Sequence, residues 1–225
     1  DVYVSHRGDT AWSAPVKAGV NINVPENEVI TSISADGKTL FIYYEDGGGD
    51  IYTSVFENGE WQKPTALNRF INHPTYRESA ACVSADGKRL YFSSNRPGGK
   101  GGFDIYVSEM GPNGQWGRPT NLGSTINSRL DELSPFIAAD GTTLYFFSNG
   151  HPTLGDHDIF RSRLVDGKWT LPENLGYPVN SSGNDGFFWL SPDRTTGYFS
   201  SQRQSGRSDA DIYSVKFREE ALLIE

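Results

Sequence analysis

The chain has 225 residues, with 28 Asp and Glu against 20 Lys and Arg, so its formal net charge at pH 7 is −8. A surface that binds nucleic acid or an anionic membrane needs a dense face of Lys and Arg, and this balance argues against either as the main partner. Cys82 is the only cysteine, which excludes an intrachain disulfide, and its Ser- and Ala-rich setting predicts a small apolar strand residue. No apolar run approaches the roughly 18 residues that a membrane-spanning helix needs.

Two short motifs recur along the whole chain. A Ser/Ala-x-Asp-Gly turn begins at Ser34, Ser84 and Ala138, with a variant at Ser191, at a spacing of 50 to 54 residues. An Asp-aliphatic-aromatic strand begins at Asp1, Asp50, Asp104, Asp158 and Asp211. A period of about 50 residues with several short strands is typical of a β-propeller, in which no unit can bury its faces alone. We therefore predict an all-β fold, a β-propeller with blades of four antiparallel strands.

The unit that begins at Glu78 illustrates the predicted blade. Its four strands, named a to d from the axis to the rim, are expected at residues 78–83, 88–94, 103–109 and 115–119. The Asp-Gly of the turn at 84–87 supplies the positive φ of a tight hairpin, and the Leu-Tyr-Phe and Ile-Tyr-Val runs have the β-branched and aromatic content of strands. The Gly-rich segment 95–102 is expected to form the loop between strands b and c.

A third motif links each unit to the next. Trp-x-x-Pro begins at Trp12, Trp61, Trp116 and Trp169. The proline is expected to end strand d, because it has no N–H to donate to a ladder. An aliphatic residue and an asparagine follow at fixed distances, as Ile22-Asn23, Ile71-Asn72, Ile126-Asn127 and Val179-Asn180. This connector is predicted to cross from the rim back to the axis and to pack its aliphatic side chains between blades.

The ends of the chain bear on how the propeller closes. Five c strands but only four a and b strands are visible, which favours five blades. Either the first blade lacks its two inner strands, or the two ends of the chain meet in one shared blade. We predict one propeller domain over residues 1–225, a fragment of a longer multidomain protein, since the chain opens inside a repeat. The tail 218–225 is expected to add an outer strand or to lead to another domain.

A family resemblance rests on the segment from Ser84 to Ser108. Its Ser-Ala-Asp-Gly-Lys-Arg-Leu-Tyr-Phe-Ser-Ser-Asn-Arg-Pro-Gly-Gly, followed by Asp-Ile-Tyr-Val-Ser, resembles the PD40, or TolB-like, β-propeller repeat, which is WD40-like. With the Trp-x-x-Pro…Leu-x-x-x-Ile-Asn connector, it is similar to OmpA-family envelope proteins of Bacteroidetes, which include a component of the type IX secretion system. The resemblance implies a domain in the bacterial periplasm, associated with the outer membrane. Its implied partners are other envelope proteins, and peptidoglycan through a flanking domain outside this chain.

One repeated set of acidic residues is a candidate ligand site. Each member opens a strand a, which is expected to line the central channel: Glu28, Glu78, Glu132 and Asp185. A ring of carboxylates could bind a cation or a cationic ligand, because like charges held together raise one another's pKa or recruit a cation. We favour the alternative that each acid accepts backbone N–H bonds from the neighbouring blade. The repeated Asp of strand c and the repeated Trp are likewise interpreted as structural residues.

Residues that break the repeat are better candidates for function. His151, Asp156 and His157 share one b–c loop, but their spacing matches no tetrahedral zinc motif, and we predict neither a metal site nor a cofactor. Aromatic and cationic loop tips suit protein contacts. Seven residues are predicted to provide them: His73, Tyr76, Arg77, Arg96, Lys100, His151 and His157.

Enzyme motifs are lacking in the sequence. It contains no Gly-x-Ser-x-Gly nucleophile elbow, no phosphate-binding Gly-x-x-x-x-Gly-Lys-Ser/Thr and no His-Glu-x-x-His. We therefore expect a non-catalytic scaffold that binds proteins in a cell-envelope assembly, either of type IX secretion or of a peptidoglycan-associated outer-membrane complex. Two alternatives stay open. One is a module that binds glycan or peptide at the channel mouth through the four acids, and the other is a five-bladed glycoside hydrolase that uses two of them.

Overall fold

The computed structural model describes residues 1–9, 11–24, 28–45, 48–203 and 209–217, so the prediction for the tail 218–225 lies outside the described residues. Within these ranges the chain forms 19 β-strands and no helix, and hence no helix that could cross a membrane. The prediction of an all-β fold is confirmed.

The strands form an N-terminal hairpin followed by four antiparallel sheets. The N-terminal hairpin pairs β1 (Tyr3–Val4) with β2 (Val16–Lys17). The first sheet has β3 (Glu28–Ile33), β4 (Thr39–Tyr44), β5 (Asp50–Glu57) and β6 (Glu60–Trp61), with β7 (Thr65–Ala66) also on β5. The second sheet has β8 (Glu78–Val83), β9 (Arg89–Ser94), β10 (Asp104–Glu109) and β11 (Thr120–Asn121). The third has β12 (Glu132–Ile137), β13 (Thr143–Ser148), β14 (Asp158–Val165) and β15 (Lys168–Trp169), with β16 (Glu173–Asn174) on β14. The fourth has β17 (Asp185–Leu190), β18 (Thr196–Ser201) and β19 (Asp211–Lys216).

The sheets are arranged as a β-propeller. In each of them the chain meanders from strand a to strand c, and the a strands β3, β8, β12 and β17 contact one another in succession. The N-terminal hairpin corresponds to strands c and d alone. It contacts the fourth sheet through Trp12 and Tyr198, whose ring centroids are 6.4 Å apart.

In three of the sheets the a–b turn is built by the Ser and Asp of its motif, whereas in the third sheet Ala138 replaces the serine and Thr143 donates to Asp140. In the second sheet Ser84 Oγ donates to Asp86 Oδ1 at 2.5 Å, and the Lys88 N–H donates to the same oxygen at 3.0 Å. The hydrogen bond from Ser84, followed by the one from Lys88, lowers the pKa of Asp86. Gly87 has a φ of +71°, which glycine adopts without strain. The turn of the fourth sheet differs from the motif, because Arg194 takes the glycine position with a φ of +60°.

The asparagine of each connector completes the outer edge of the preceding strand c. Asn127 Oδ1 accepts the N–H of Ile105 at 2.8 Å, and its Nδ2 donates to the Ile105 carbonyl at 3.0 Å. The side-chain amide therefore pairs with the backbone as a neighbouring strand residue would. The same pair of bonds recurs in the other units: Asn23 with Val2, Asn72 with Ile51, and Asn180 with Ile159.

The connector aliphatics are buried between sheets, as predicted. Ile126 is fully buried in one cluster with Ile105 of the second sheet and Phe146 of the third. Ile71 has the same position between the first and second sheets. Burial of such a side chain contributes roughly 1.5–3 kcal/mol. The stability of each sheet therefore depends on having a neighbour on either side.

Strand d differs from the prediction. Before each proline there is only a short pairing, as in β6 and β15, or a single bridge between Met110 and Trp116. Pairing with strand c resumes after the proline in β2, β7, β11 and β16. The extent predicted for strand d, residues 115–119, is therefore wrong. Because proline cannot donate to the ladder, it divides strand d rather than ending it.

Candidate functional site

The acid that opens strand a of the second sheet is buried and bonded within the protein. Glu78 has no solvent exposure. Its Oε1 accepts hydrogen bonds from Ser94 at 2.7 Å and from Arg96 at 2.9 Å, and its Oε2 accepts the His73 N–H at 2.8 Å. Burial raises the pKa of this carboxyl, and the three hydrogen bonds oppose the rise. Arg96 also donates to the Ile71 carbonyl at 2.6 Å, which fixes the connector.

Two further sheets repeat this arrangement, one with a histidine and one with an arginine beside the acid. Glu132 Oε1 accepts from Ser148 at 2.8 Å and lies 3.8 Å from His151 Nε2. Asp185 Oδ1 lies 3.4 Å from Arg203 Nη2. We call these sets acid latches, and each joins strand a, the end of strand b and the b–c loop. They comprise Glu78–Ser94–Arg96, Glu132–Ser148–His151 and Asp185–Ser201–Arg203.

The first sheet has no equivalent latch among the described residues. Tyr44 pairs with Glu28 at the position where the second sheet has a serine. Glu28 is buried, and neither of its carboxylate oxygens has a hydrogen-bond partner in the described part of the chain. Its Oε1 lies 3.3 Å from the amine of Asp1.

The acid latches leave little capacity for ligand binding in three of the four acids. In three of the sheets the carboxylate oxygens are turned into the protein and occupied by its own donors. In the second sheet one of these donors is the backbone N–H of His73, which lies in the connector from the preceding sheet. A bond of this kind is what we expected if the acids have a structural role. Across the described ranges no three His, Cys, Asp or Glu side chains are grouped closely enough to hold a metal ion.

The Asp that opens strand c shapes the b–c loop. Asp104 is buried, and it accepts the Gly101 N–H at 3.0 Å and the Asn121 side chain at 2.7 Å. Asp158 accepts the Leu154 N–H at 2.6 Å in the same way. These two acids have the hydrogen-bonding role predicted from their repetition, and they position the loops that face solvent.

The b–c loops and the connectors meet on one face of the propeller, which we call the loop face. They share a face because strand a starts, strand b ends and strand c starts at the same edge, as the pairing of Ser94 with both Glu78 and Asp104 shows. All seven residues predicted for protein contacts lie in these segments: His73, Tyr76, Arg77, Arg96, Lys100, His151 and His157.

The seven residues differ in how far they are free to contact a partner. Arg96 and His151 are held in acid latches and are largely buried, so they support the loops from within. Arg77 donates to the Tyr43 hydroxyl at 3.1 Å, and Lys100 is exposed. The His73 and Tyr76 rings stand 4.7 Å apart.

The loop face also carries an aromatic side chain that sequence analysis missed. Phe187 lies in the bulge of β17, has a φ of +52° and is 53% exposed. A left-handed backbone is a rare conformation for a bulky residue and costs roughly 1–3 kcal/mol. The Phe187 ring lies 5.5 Å from that of Phe147, which is 5.8 Å from that of His157. We call Phe147, His157 and Phe187 the aromatic cluster.

The aromatic cluster borders a cavity of about 310 Å³ that Leu133 and Asn184 also line. Gly186 permits the close packing, because a Cβ there would lie 3.0 Å from the Phe147 ring. One signal could have identified the site in the sequence. At the position of Phe187, two residues after the acid, the other units have Ile30, Ala80 and Ser134.

On the opposite face the a–b turns surround the other end of the channel. A cavity of about 210 Å³ lies there, with a lining from all four sheets that includes Val83, Phe136 and Trp189. Within the described residues, none of the four acids belongs to this lining.

Comparison with known proteins gives likeness at the level of fold. No family model and no curated protein matches the chain. A solved structure described as a TolB from Agrobacterium tumefaciens has a TM-score of 0.54 and 22% identity, over 82% of this chain and 60% of its own. TolB from Acinetobacter baumannii has a TM-score of 0.55 and 18% identity, over 85% and 41%. A GH43 endo-arabinanase from Bacillus licheniformis has a TM-score of 0.54 and 12% identity, over 84% and 73%.

The chain thus spans 60% and 41% of the lengths of the two TolB structures. Identities this low carry no information on activity or partners, since one propeller fold serves many functions. What the likeness establishes is that the chain has a TolB-like β-propeller fold.

Proposed function

We propose that this propeller is a non-catalytic domain that binds another protein through its loop face, with Phe187 as the central contact. The observation that carries the proposal is the exposure of Phe187 in a strained backbone conformation. A glycine at this position would remove the strain, and a polar side chain would suit the solvent. The equivalent Ser134 has a φ of +45° in the same bulge of the third sheet, so the bulge belongs to the fold. What is particular to the fourth sheet is a large apolar ring that this strained position exposes to solvent, and strain kept at such a residue is typical of a functional site.

The surroundings of Phe187 suit a protein partner. Protein interfaces concentrate their binding energy in a few aromatic side chains next to pockets, with a polar rim around them. The aromatic cluster borders a cavity of about 310 Å³, which is large enough to accept an apolar side chain of a partner. Lys100 and Arg77 are both exposed on the same loop face and supply cationic groups that a partner could contact there.

The acid latches support the non-catalytic part of the proposal. A glycoside hydrolase needs one carboxylic acid and one carboxylate that both reach the substrate. Glu78, Glu132 and Asp185 are buried, and their oxygens accept bonds from the protein itself. Hydrolysis of aryl glycosides that a single Glu132→Gln change abolished would contradict this part and favour the enzyme alternative.

The cellular setting is the finer part of the proposal. We place the domain in the bacterial periplasm, within an outer-membrane assembly of type IX secretion or of peptidoglycan anchoring. The sequence resemblance of the repeat and its connector supports this setting, and the TolB-like fold agrees with it. Partners recovered only from the cytosol would remove the setting and leave the binding role intact.

The test compares Phe187→Gly with wild type and with Leu171→Ser, a change at a residue that is 81% exposed in the outer part of the third sheet. Each protein is immobilised and exposed to an envelope extract of the source organism. We expect wild type and Leu171→Ser to retain the same discrete protein, and Phe187→Gly to lose at least about tenfold in affinity. Because glycine relieves the positive φ, Phe187→Gly should melt no lower than wild type. Unchanged retention by the folded Phe187→Gly protein would refute the proposal.

A further inference from the structure

The N-terminal hairpin occupies a place in the ring that is only half filled. In the second sheet strand c pairs with strand d on one edge and with strand b on the other. The hairpin has the equivalents of c and d, but within the described residues no strand pairs with the other edge of β1. The backbone groups on that edge face a groove rather than a neighbouring strand.

The ring of a strands around the axis is also interrupted at this position. Strand β3 contacts β8, β8 contacts β12, and β12 contacts β17. Among the described strands, β17 and β3 make no contact of this extent with each other. The first and fourth sheets, each in contact with the N-terminal segment, nevertheless border this gap on its two sides. The hairpin is held to the first sheet by the Asn21 side chain, which donates to the Trp61 carbonyl at 2.8 Å, and to the fourth sheet by the contact between Trp12 and Tyr198.

Between the first and fourth sheets lies an open groove of about 1010 Å³, which we call the hairpin groove. Its lining is mainly apolar and includes Tyr3, Trp12, Val16, Ile33, Trp61 and Trp189. Two of these residues are far more exposed than their equivalents in the second sheet, where strands a and b are present. Tyr3 is 53% exposed, whereas its equivalent Tyr106 is 4% exposed. Trp12 is 55% exposed, whereas its equivalent Trp116 is 7% exposed.

We propose that the hairpin groove seats a β-hairpin that carries the repeat's own a–b pattern, and that this hairpin adds two strands to the free edge of β1. An open strand edge requires N–H and C=O partners along its length, which a small apolar ligand cannot supply. A hairpin with an Asp-Gly turn and a Leu-aromatic-aromatic strand b supplies them. In the second sheet the Leu90 and Phe92 of that pattern are fully buried beside strand c. Peptide recognition by strand addition to a sheet edge works in the same way.

The experiment places a copy of residues 78–103 directly before Asp1, so that the copy leads into Asp1 as Phe103 leads into Asp104. Tyr3→Cys in the main chain reports on the groove through its rate of thiol labelling, and Cys82 of the copy is changed to Ala. The resident Cys82 is buried and gives little background. A matched control carries Leu90→Asp and Phe92→Asp in the copy alone, and a third protein has no extension.

We expect labelling of Tyr3→Cys to slow by at least about tenfold in the extended chain, relative to both other proteins. The thermal midpoint of the extended chain with Tyr3 intact should rise above that of the control. Equal labelling rates in the extended chain and its control would overturn the proposal. The proposal would also be overturned if the protein without extension were dimeric by light scattering and its Tyr3→Cys were already protected from labelling. A second copy would then fill the hairpin groove.

Discussion

Substitution of Asn127 by alanine is the sharpest test of how the repeat holds the propeller together. Asn127 is buried and its side chain makes three hydrogen bonds, two with the backbone of Ile105 and one with Asn121 at 3.0 Å. In Asn127→Ala the carbonyl of Ile105 keeps a bond from the Leu122 N–H at 3.1 Å. The N–H of Ile105 loses its partner in a fully buried site.

An unsatisfied buried N–H costs about 1–3 kcal/mol, and each lost hydrogen bond contributes about 1 kcal/mol. We therefore expect Asn127→Ala to lower the free energy of unfolding by about 3 kcal/mol. For a chain of this size that corresponds to a fall of roughly 6–12 °C in Tm. Urea titration measures the loss, with Asn113→Ala as the control, since Asn113 is exposed and accepts one bond from Gln115 at 3.2 Å. A loss below about 0.5 kcal/mol in Asn127→Ala would refute the strand-like role of the connector asparagines.

Three further predictions concern other parts of the molecule. Arg96→Ala should destabilise the protein by about 2–3 kcal/mol at pH 7, because Glu78 stays buried without its cation. Burial already raises the pKa of Glu78, so its ionised form is the unfavourable one, and the loss measured by urea titration should shrink as the pH falls toward 4.5. Gly101→Ala should lower Tm more than the surface change Leu171→Ser, although Gly101 is also exposed, because its Cβ would overlap the Leu130 carbonyl, a backbone atom of the next connector. Burial raises the pKa of Cys82 to about 12, so native protein at pH 8 should react with iodoacetamide far more slowly than unfolded protein, and stability should fall between about pH 9 and 12. Equal rates for the two forms would contradict the burial of this thiol.

Most of the sheet structure could be predicted from the sequence, because its signals are local. The Asp-Gly turn at 84–87 and the β-branched and aromatic runs after it fixed the strand order of the unit, and β8 was placed at its observed bounds, Glu78–Val83. Strand d was placed less well. A proline on an edge strand interrupts the pairing, and whether the pairing then resumes depends on the position of strand c, which the local sequence does not contain.

The candidate site was harder to predict, because its residues act across long distances in the chain. Asn127 stood out by its spacing from Pro119, but its partner Ile105 lies 22 residues earlier on another strand. Arg96 read as an exposed cationic tip, and only the fold places it against Glu78. Phe187 was missed because a phenylalanine in a strand is ordinary by itself, and it is unusual only beside its equivalents Ile30, Ala80 and Ser134.

We propose that repeated residues hold the propeller together and that a repeat-breaking residue, Phe187, contacts the partner. The most direct test inserts a photo-crosslinking phenylalanine analogue at position 187 and, in a second protein, at position 171. Both proteins are irradiated in envelope extract of the source organism. We expect a cross-link to one discrete protein from position 187 and none from position 171. No product at 187, or the same products from both positions, would contradict it.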